Sequence, residues 1–96
     1  MKQPFDLKKF RHRISQIPRD PSAPTDQELE HSVRLLPISS DSDQHARWME
    51  PQAWCRLNVQ HQLGHEWSRR MDRESGRPVF SFSDLSTGVM FALKFR

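Results

Sequence analysis

Two histidines and one cysteine are the residues whose types and spacing could support chemistry in this sequence. His61 and His65 are four positions apart, so on an α-helix both imidazoles would lie on one face, one turn apart. Imidazole nitrogens at that spacing can bind a zinc ion. Cys55 is the only cysteine, and its offset from either histidine does not place a thiol and a base on one helix face. The histidine pair is therefore a candidate metal site, whereas Cys55 is expected to be a packed side chain.

The segment from His61 to His65, HQLGH, resembles the H-E-x-x-H motif of zinc metallopeptidases, in which two histidines hold the metal and the glutamate activates water. The resemblance covers five residues and departs at Gln62, which occupies the glutamate position. A glutamine side chain cannot act as a general base near neutral pH. One alternative is thus a degenerate metal-binding helix without peptidase activity. The three glycines are isolated and form no phosphate-binding loop, and no downstream motif supplies a third metal ligand. We therefore expect no enzymatic activity, no cofactor and no resident metal.

Two clusters of basic residues could contact an acidic partner. The first consists of Lys8, Lys9, Arg11 and Arg13, and the second, beside Trp67, consists of Arg69, Arg70, Arg73 and Arg77. Basic side chains interleaved with aromatic rings suit nucleic acids, because phosphates attract the charge and bases stack on the rings. Arginine and tryptophan are also enriched at the centres of protein interfaces. The clusters leave open whether the partner is a nucleic acid or an acidic protein surface.

One stretch dominates the predicted organisation of the chain. Residues 51–73 begin with Pro51, which suits the first turn of a helix, and their apolar residues recur with alternating spacings of four and three. This pattern predicts one long central helix. Gly64 lies in the middle of its apolar seam, where the missing side chain leaves room for a close neighbour. Gly76 is expected to supply the turn after the helix ends.

The remaining predicted elements flank that helix. Residues 7–17 read as a basic amphipathic helix, residues 18–24 as a proline-rich connector and residues 26–36 as an acidic helix that begins with a capping box at Thr25. After Pro78 the apolar period changes to two, which predicts a β-hairpin over residues 79–95. The predicted fold class is therefore α+β, as one small, mainly helical domain spanning residues 1–96. It would have two short N-terminal helices, and its C-terminal hairpin would pack on the central helix.

Composition limits the function classes. The chain has 96 residues, of which 34% are hydrophobic, and a formal net charge of +3. A core built from so few apolar residues is thin, so we expect a marginal monomer, a homo-oligomer or a protein that gains order from a partner. No apolar run is long enough to cross a bilayer or to serve as a signal peptide, which predicts a cytoplasmic protein with no membrane partner.

The function expected from these features is that of a small, non-enzymatic accessory or inhibitor-type protein that binds a larger protein partner. In size and style the chain resembles phage-encoded host-takeover proteins, and that resemblance implies a host nucleic-acid-processing complex as the partner. Direct nucleic-acid binding through the two basic clusters is the alternative. The residues expected to contact the protein partner are Trp54, Val59, Leu63, Gly64, Trp67, Arg69, Arg70 and Arg73.

Overall fold

The computed structural model describes residues 20–96, which form a three-stranded antiparallel sheet and two helices. The elements in chain order are β1 (His31–Arg34), α1 (Asp41–Asn58), β2 (Trp67–Asp72), β3 (Arg77–Phe82) and α2 (Leu85–Phe95). A single 3-10 turn, His61–Leu63, lies between α1 and β2. No helix that the structure describes is long and apolar enough to cross a membrane.

The strand order in the sheet is β1-β3-β2, so the last strand lies between the first two. Both β1 and β2 run antiparallel to β3, with Phe82 opposite His31 on one side and opposite Trp67 on the other. The two outer strands are therefore parallel to each other and are joined through α1. This is the split β-α-β connectivity, in which an antiparallel strand separates a parallel pair.

Alternation along β3 places the core on one face of the sheet. Phe80 and Phe82 are both fully buried and point to the side that the helices cover. Phe91 of α2 lies between them, with ring centroids 4.9 Å from Phe80 and 5.1 Å from Phe82. Cys55 of α1 and Trp67 of β2 complete the same cluster. The two helices thus pack side by side over one layer of aromatic rings.

The opposite face of the sheet is covered by the segment that precedes β1. Thr25 lies beside β2, where its N–H donates to the Trp67 carbonyl at 2.8 Å. The chain then crosses β3, since the Leu29 N–H donates to the Ser81 hydroxyl at 2.7 Å, before it enters β1 on the far side. Ser81 and Ser68 are buried under this crossing and share a hydrogen bond through their hydroxyls. We call residues 25–30 the crossing segment.

Helix α1 begins and bends for identifiable reasons. Ser40 caps its N-terminus by accepting a hydrogen bond from the Asp43 N–H. The helix is α-helical over Asp41–Gln44, π-helical over His45–Met49 and α-helical again over Glu50–Asn58. A proline inside a helix lacks one N–H and crowds the carbonyl of the preceding turn. The wider π turn ends at Met49, two residues before Pro51, and the helix continues through the proline.

The predicted mainly helical architecture is wrong, and the largest error is the central helix over residues 51–73. The helix starts ten residues earlier, at Asp41, and ends at Asn58, because Val59 adopts an extended backbone with ψ 127°. Gly64 then takes the left-handed conformation at φ 82°, which reverses the chain into β2. The second half of the predicted helix is thus a turn and a strand.

The predicted β-hairpin over residues 79–95 is also wrong. The hairpin of this fold is formed by β2 and β3 around a turn at residues 73–76, and residues 85–95 are the helix α2. Gly76 takes φ 68° in that turn and Asp72 accepts a hydrogen bond from the Glu74 N–H. Asp84 starts α2 by accepting a hydrogen bond from the Thr87 N–H at 3.0 Å.

Of the two predicted N-terminal helices, one is wrong and the other lies outside the described residues. The acidic helix over residues 26–36 is wrong, because β1 occupies His31–Arg34 and an irregular segment precedes it. Val33 and Leu35, two positions apart, both enter the core, as a strand requires. The basic helix over residues 7–17 lies outside the described residues. Of the predicted connector, residues 20–23 form a turn in which the Ala23 N–H donates to the Asp20 carbonyl.

Candidate interaction surface

Helix α2 carries two apolar stripes, and only one of them is buried. Phe91 is fully buried and Phe95 is half-buried beside it, both against the core. The other stripe, Leu85, Val89 and Leu93, recurs every four residues and faces away from that core. These three side chains are 62%, 48% and 83% exposed. A helix whose outer face is also apolar has a surface suited to a further packing neighbour.

This exposed stripe lies next to the outer edge of β1. The Leu35 N–H donates to the Pro78 carbonyl of β3 at 2.9 Å, so alternation turns the N–H and C=O groups of Val33 and His31 toward β3 as well. Ser32 and Arg34 consequently direct theirs outward. Within residues 20–96, no strand pairs with that edge. An open row of backbone donors and acceptors is a template for another strand.

A groove of about 370 Å³ joins the two features. Its walls come from β1 and the residue before it on one side and from α2 on the other, and Gly88 of α2 faces His31 of β1, where a Cβ on Gly88 would lie 3.6 Å from the His31 Cβ. The lining residues are Glu30, His31, Ser32, Val33, Leu85, Gly88, Val89 and Ala92. An open strand edge with an apolar helix along it is the geometry that accepts an added strand. We call this region the α2–β1 surface.

The tryptophans and apolar residues predicted to contact a partner are distributed between core and surface. Trp67 and Val59 are buried in the core. Trp54 is half-buried, with its ring 5.7 Å from Phe91 and 6.0 Å from Phe95 between centroids. Leu63 is 64% exposed and the neighbouring Gly64 is exposed in the turn after α1. Residues 54, 59 and 67 therefore stabilise the fold, whereas Leu63 and Gly64 remain accessible.

The second basic cluster does not form one surface. Because Arg69 and Arg70 are neighbours on a strand, their side chains point to opposite faces of the sheet. The guanidinium carbon of Arg69 lies 5.7 Å from the centroid of the Trp48 ring, and the Arg69 Nε donates a hydrogen bond to the Gln52 side chain of α1. Arg70 pairs with Glu28 of the crossing segment at 3.5 Å, and Arg73 lies in the β2–β3 turn. The first basic cluster, Lys8, Lys9, Arg11 and Arg13, lies outside the described residues.

The two candidate metal-binding histidines are not one helical turn apart. His61 opens the 3-10 turn, and His65 follows Gly64, where its Nδ1 lies 3.5 Å from Asp84 Oδ1. In the described part of the chain, no three His, Cys, Asp or Glu side chains come together to hold a metal ion. His65 and Asp84 instead line a pocket of about 400 Å³ between the end of α1 and the start of α2. The Thr87 hydroxyl donates a hydrogen bond to Asp84 Oδ2 at 2.7 Å.

The Asp84 carboxylate caps the start of α2, and its surroundings lower its pKa. Partial burial raises the pKa of Asp84, but the two hydrogen bonds from Thr87 and the nearby His65 imidazole outweigh it, so the pKa lies below its usual value. A carboxyl whose pKa is lowered by folding adds stability above its unfolded pKa. That contribution is lost as the pH falls through the folded value.

Replacing Asp84 with alanine is expected to lower the free energy of unfolding by about 1 kcal/mol at neutral pH, because α2 loses its N-cap. The difference from wild type should shrink as the pH falls below the ordinary aspartate pKa of about 3.9 toward the lower pKa of Asp84 in the folded protein. Urea unfolding at a series of pH values measures both effects. Asp84→Asn is the matched control, since asparagine caps helices without titrating. A deficit of the alanine variant that stays constant down to pH 2 would contradict the role of the charge.

Cys55 has the environment of a packed thiol and not of a nucleophile. It is fully buried on α1, and desolvation strongly raises the pKa of the thiol. A cysteine attacks as the thiolate, which an apolar environment disfavours. The arrangement around Cys55 therefore supports packing and provides no activated sulfur.

The residues that sequence reasoning missed are those of the exposed α2 stripe. Two sequence signals point to them. Asp84 precedes Thr87 by three positions, which is the spacing of a helix N-cap, and Leu85, Val89 and Leu93 follow with a helical period of four. Comparison of the chain with protein-family models, curated proteins and solved structures found no match. Any function therefore has to be argued from the residues of this chain.

Proposed function

We propose that this chain is a small, non-enzymatic accessory protein that binds a protein partner through the α2–β1 surface. The observation that carries the proposal is the meeting of an exposed apolar stripe with an open strand edge on one side of the molecule. Leu93 is 83% exposed, yet it belongs to a helix with a well-packed opposite face. Contiguous apolar residues beside unpaired backbone groups favour association with another polypeptide.

The side chains that could carry out chemistry support binding over catalysis. The thiol of Cys55 is buried, and the Asp84 carboxylate is engaged with Thr87 as a helix cap. His65 faces that same carboxylate. The dispersed arginines of β2 favour a protein partner over direct nucleic-acid binding by this part of the chain, because Arg69 and Arg70 lie on opposite faces. The formal net charge of +3 arises in residues 1–19, which carry six basic side chains and one acidic one, and that segment favours an acidic partner such as a nucleic-acid-processing complex.

An affinity pull-down from a nuclease-treated lysate of the source cells tests this proposal. The wild-type protein is expected to recover a protein in stoichiometric amount. Leu93→Asp places a charge in the apolar stripe without disturbing the core, and recovery should fall by about tenfold or more. Leu57→Asp is the matched control, because Leu57 is 85% exposed on α1 and does not line the groove.

Three outcomes contradict the proposal. One is the absence of any stoichiometric partner. Another is a partner that disappears on nuclease treatment, which would assign the interaction to nucleic acid. The third is equal loss of recovery in Leu93→Asp and Leu57→Asp, which would place binding elsewhere on the molecule.

A further inference from the structure

We infer that His65 and Asp84 form a pH-sensitive switch, in which a proton on the imidazole draws the turn at residues 60–65 onto the first turn of α2. His65 closes that turn, because its N–H donates to the Gln60 carbonyl at 3.3 Å. Neither His65 nor Asp84 lines the groove of the α2–β1 surface, so the switch goes beyond the proposed function and does not depend on it.

The two side chains of the switch face each other through buried atoms. His65 Nδ1 lies 3.5 Å from Asp84 Oδ1, and in the described part of the chain neither atom has a hydrogen-bond partner. Without a proton, Nδ1 would present a lone pair to a carboxylate, which repels it and leaves two buried polar atoms unpaired. A proton on Nδ1 satisfies both atoms. Because a charge-assisted N–H···O bond is about 2.7–2.9 Å long, the contact shortens when this bond forms.

The carboxylate of Asp84 is held in a fixed orientation by its role as the cap of α2. Its Oδ2 accepts from the Thr87 N–H at 3.0 Å and from the Thr87 hydroxyl at 2.7 Å, which leaves Oδ1 toward His65. The backbone also holds the two residues opposite each other. Their neighbours are bonded together, since the Ser83 N–H donates to the Glu66 carbonyl and the Glu66 N–H donates to the Ser83 hydroxyl.

Asp84 is the charged group that faces His65. The pocket of about 400 Å³ beside them has no further ionisable side chain among its described lining residues, which are otherwise Asn58, Gln60, Ser86, Thr87 and Met90. Two other titratable side chains are close along the chain, His61 in the 3-10 turn and Glu66 just before β2. Both are exposed, and neither forms an ion pair with His65. Within residues 20–96, Asp84 is therefore the partner for a charge on His65.

The charge of the imidazole makes this contact depend on pH. Histidine is the side chain that changes charge between about pH 5 and 8. Partial burial raises the pKa of Asp84, but the Thr87 hydrogen bonds and the His65 imidazole bring it below its usual value, so the carboxylate stays charged in that range. Acidification thus converts a contact between a neutral ring and a carboxylate into an ion pair. The ion pair stabilises the folded protein as the pH falls, until Asp84 itself becomes protonated.

Long-range ¹H–¹⁵N NMR spectra of the full-length protein at about pH 8 locate the proton on the neutral ring. Wild-type His65 is expected in the Nδ1–H form. In Asp84→Asn, the carboxamide oxygen has to accept from Thr87, which turns the NH2 group toward His65 Nδ1. That nitrogen then has to accept, so the variant is expected in the Nε2–H form. An Nε2–H ring in the wild type, or the same form in both proteins, overturns the switch.

A double-mutant cycle measures how the contact responds to pH. It combines Asp84→Asn with His65→Gln, which removes the titrating ring, and compares the equilibrium constants of urea unfolding of the four proteins at about pH 8 and about pH 5. The coupling between the two positions is expected to rise about threefold to fivefold at the lower pH, as for an ion pair that is partly open to solvent. Asparagine keeps the cap of α2, so the start of the helix is preserved in all four proteins.

His61→Gln is the matched control, because His61 lies in the same turn, is exposed and does not pair with Asp84. Its coupling to Asp84→Asn is expected to be the same at both pH values. A coupling at His65 that does not change with pH overturns the switch. A pH-dependent coupling of the same size at His61 also overturns it, since the effect would then come from net charge and not from the contact.

Discussion

Replacing Trp67 with alanine is expected to lower the free energy of unfolding by about 3–5 kcal/mol, which is most of the stability of a domain this small. Trp67 is 1% exposed, and its ring stacks on Phe80 with centroids 6.4 Å apart. Its indole Nε1 donates to the Ser22 carbonyl at 2.8 Å. Alanine would remove the packing and leave that carbonyl without its donor. Urea unfolding followed by far-ultraviolet circular dichroism measures the loss.

Two further variants separate the loss of packing from the loss of the hydrogen bond to Ser22. Trp67→Phe keeps an aromatic ring in the core but loses the hydrogen bond to Ser22, so its cost should be smaller than that of alanine. Trp54→Ala is the control at a half-buried tryptophan and should also cost less. If Trp67→Ala is as stable as wild type but fails to recover a partner, then Trp67 is a contact residue, as its sequence context predicts, and its packing role is refuted.

The second large effect is expected at Ser81, where Ser81→Ala should destabilise the fold by about 1–3 kcal/mol. The Ser81 hydroxyl accepts from the Leu29 N–H at 2.7 Å and shares a hydrogen bond with the Ser68 hydroxyl. Both partners would lose their bond in a buried site, and an unpaired buried polar group costs its full desolvation energy. The variant should also lose protection of the Leu29 amide from hydrogen exchange.

Ser83→Ala is the matched control for Ser81→Ala. Ser83 carries the same side chain just after β3, and its hydroxyl accepts from the Glu66 N–H at 2.8 Å. That contact is open to solvent, so water can replace the lost hydroxyl and the cost should be small. Equal losses at the two serines would mean that burial under the crossing segment contributes nothing.

The strand β2 shows why part of the fold could not be predicted from sequence. Trp67 and Met71 are four positions apart, and that spacing places two residues on one face of a helix and equally on one face of a strand. The period of the apolar residues therefore cannot distinguish the two structures here. What decides is pairing: each residue of β2 has a partner in β3, which follows the turn at residues 73–76, and β3 is held on its other side by β1 from the distant residues 31–34.

The helix α2 shows the reverse error, because its sequence predicts a strand. Val89, Phe91, Leu93 and Phe95 alternate with period two, which predicts a strand. In the structure they belong to two separate helical stripes, with Phe91 and Phe95 against the core and Val89 and Leu93 outside it. The alternation arises because both stripes are apolar. A helix with apolar residues on two faces thus produces a pattern that resembles a strand.

None of the residues of the α2–β1 surface is among those that the sequence predicts to contact a partner. The sequence argues against peptidase chemistry through the glutamine at position 62, and it predicts an exposed apolar residue at Leu63, which lies outside this surface. It does not locate the α2–β1 surface, because that surface joins residues near position 32 to residues near position 89. Such a surface exists only once β3 has brought the two segments together.

The crossing segment determines how far association can proceed. It places Thr25 against β2 at Trp67 and Ser68, and the charged Arg69 and Arg70 follow on the same strand. The sheet therefore has one edge suited to pairing and one that is blunted. Within residues 20–96, a strand that adds to this sheet therefore has to pair with β1, because the crossing segment stops sheet growth on the β2 side.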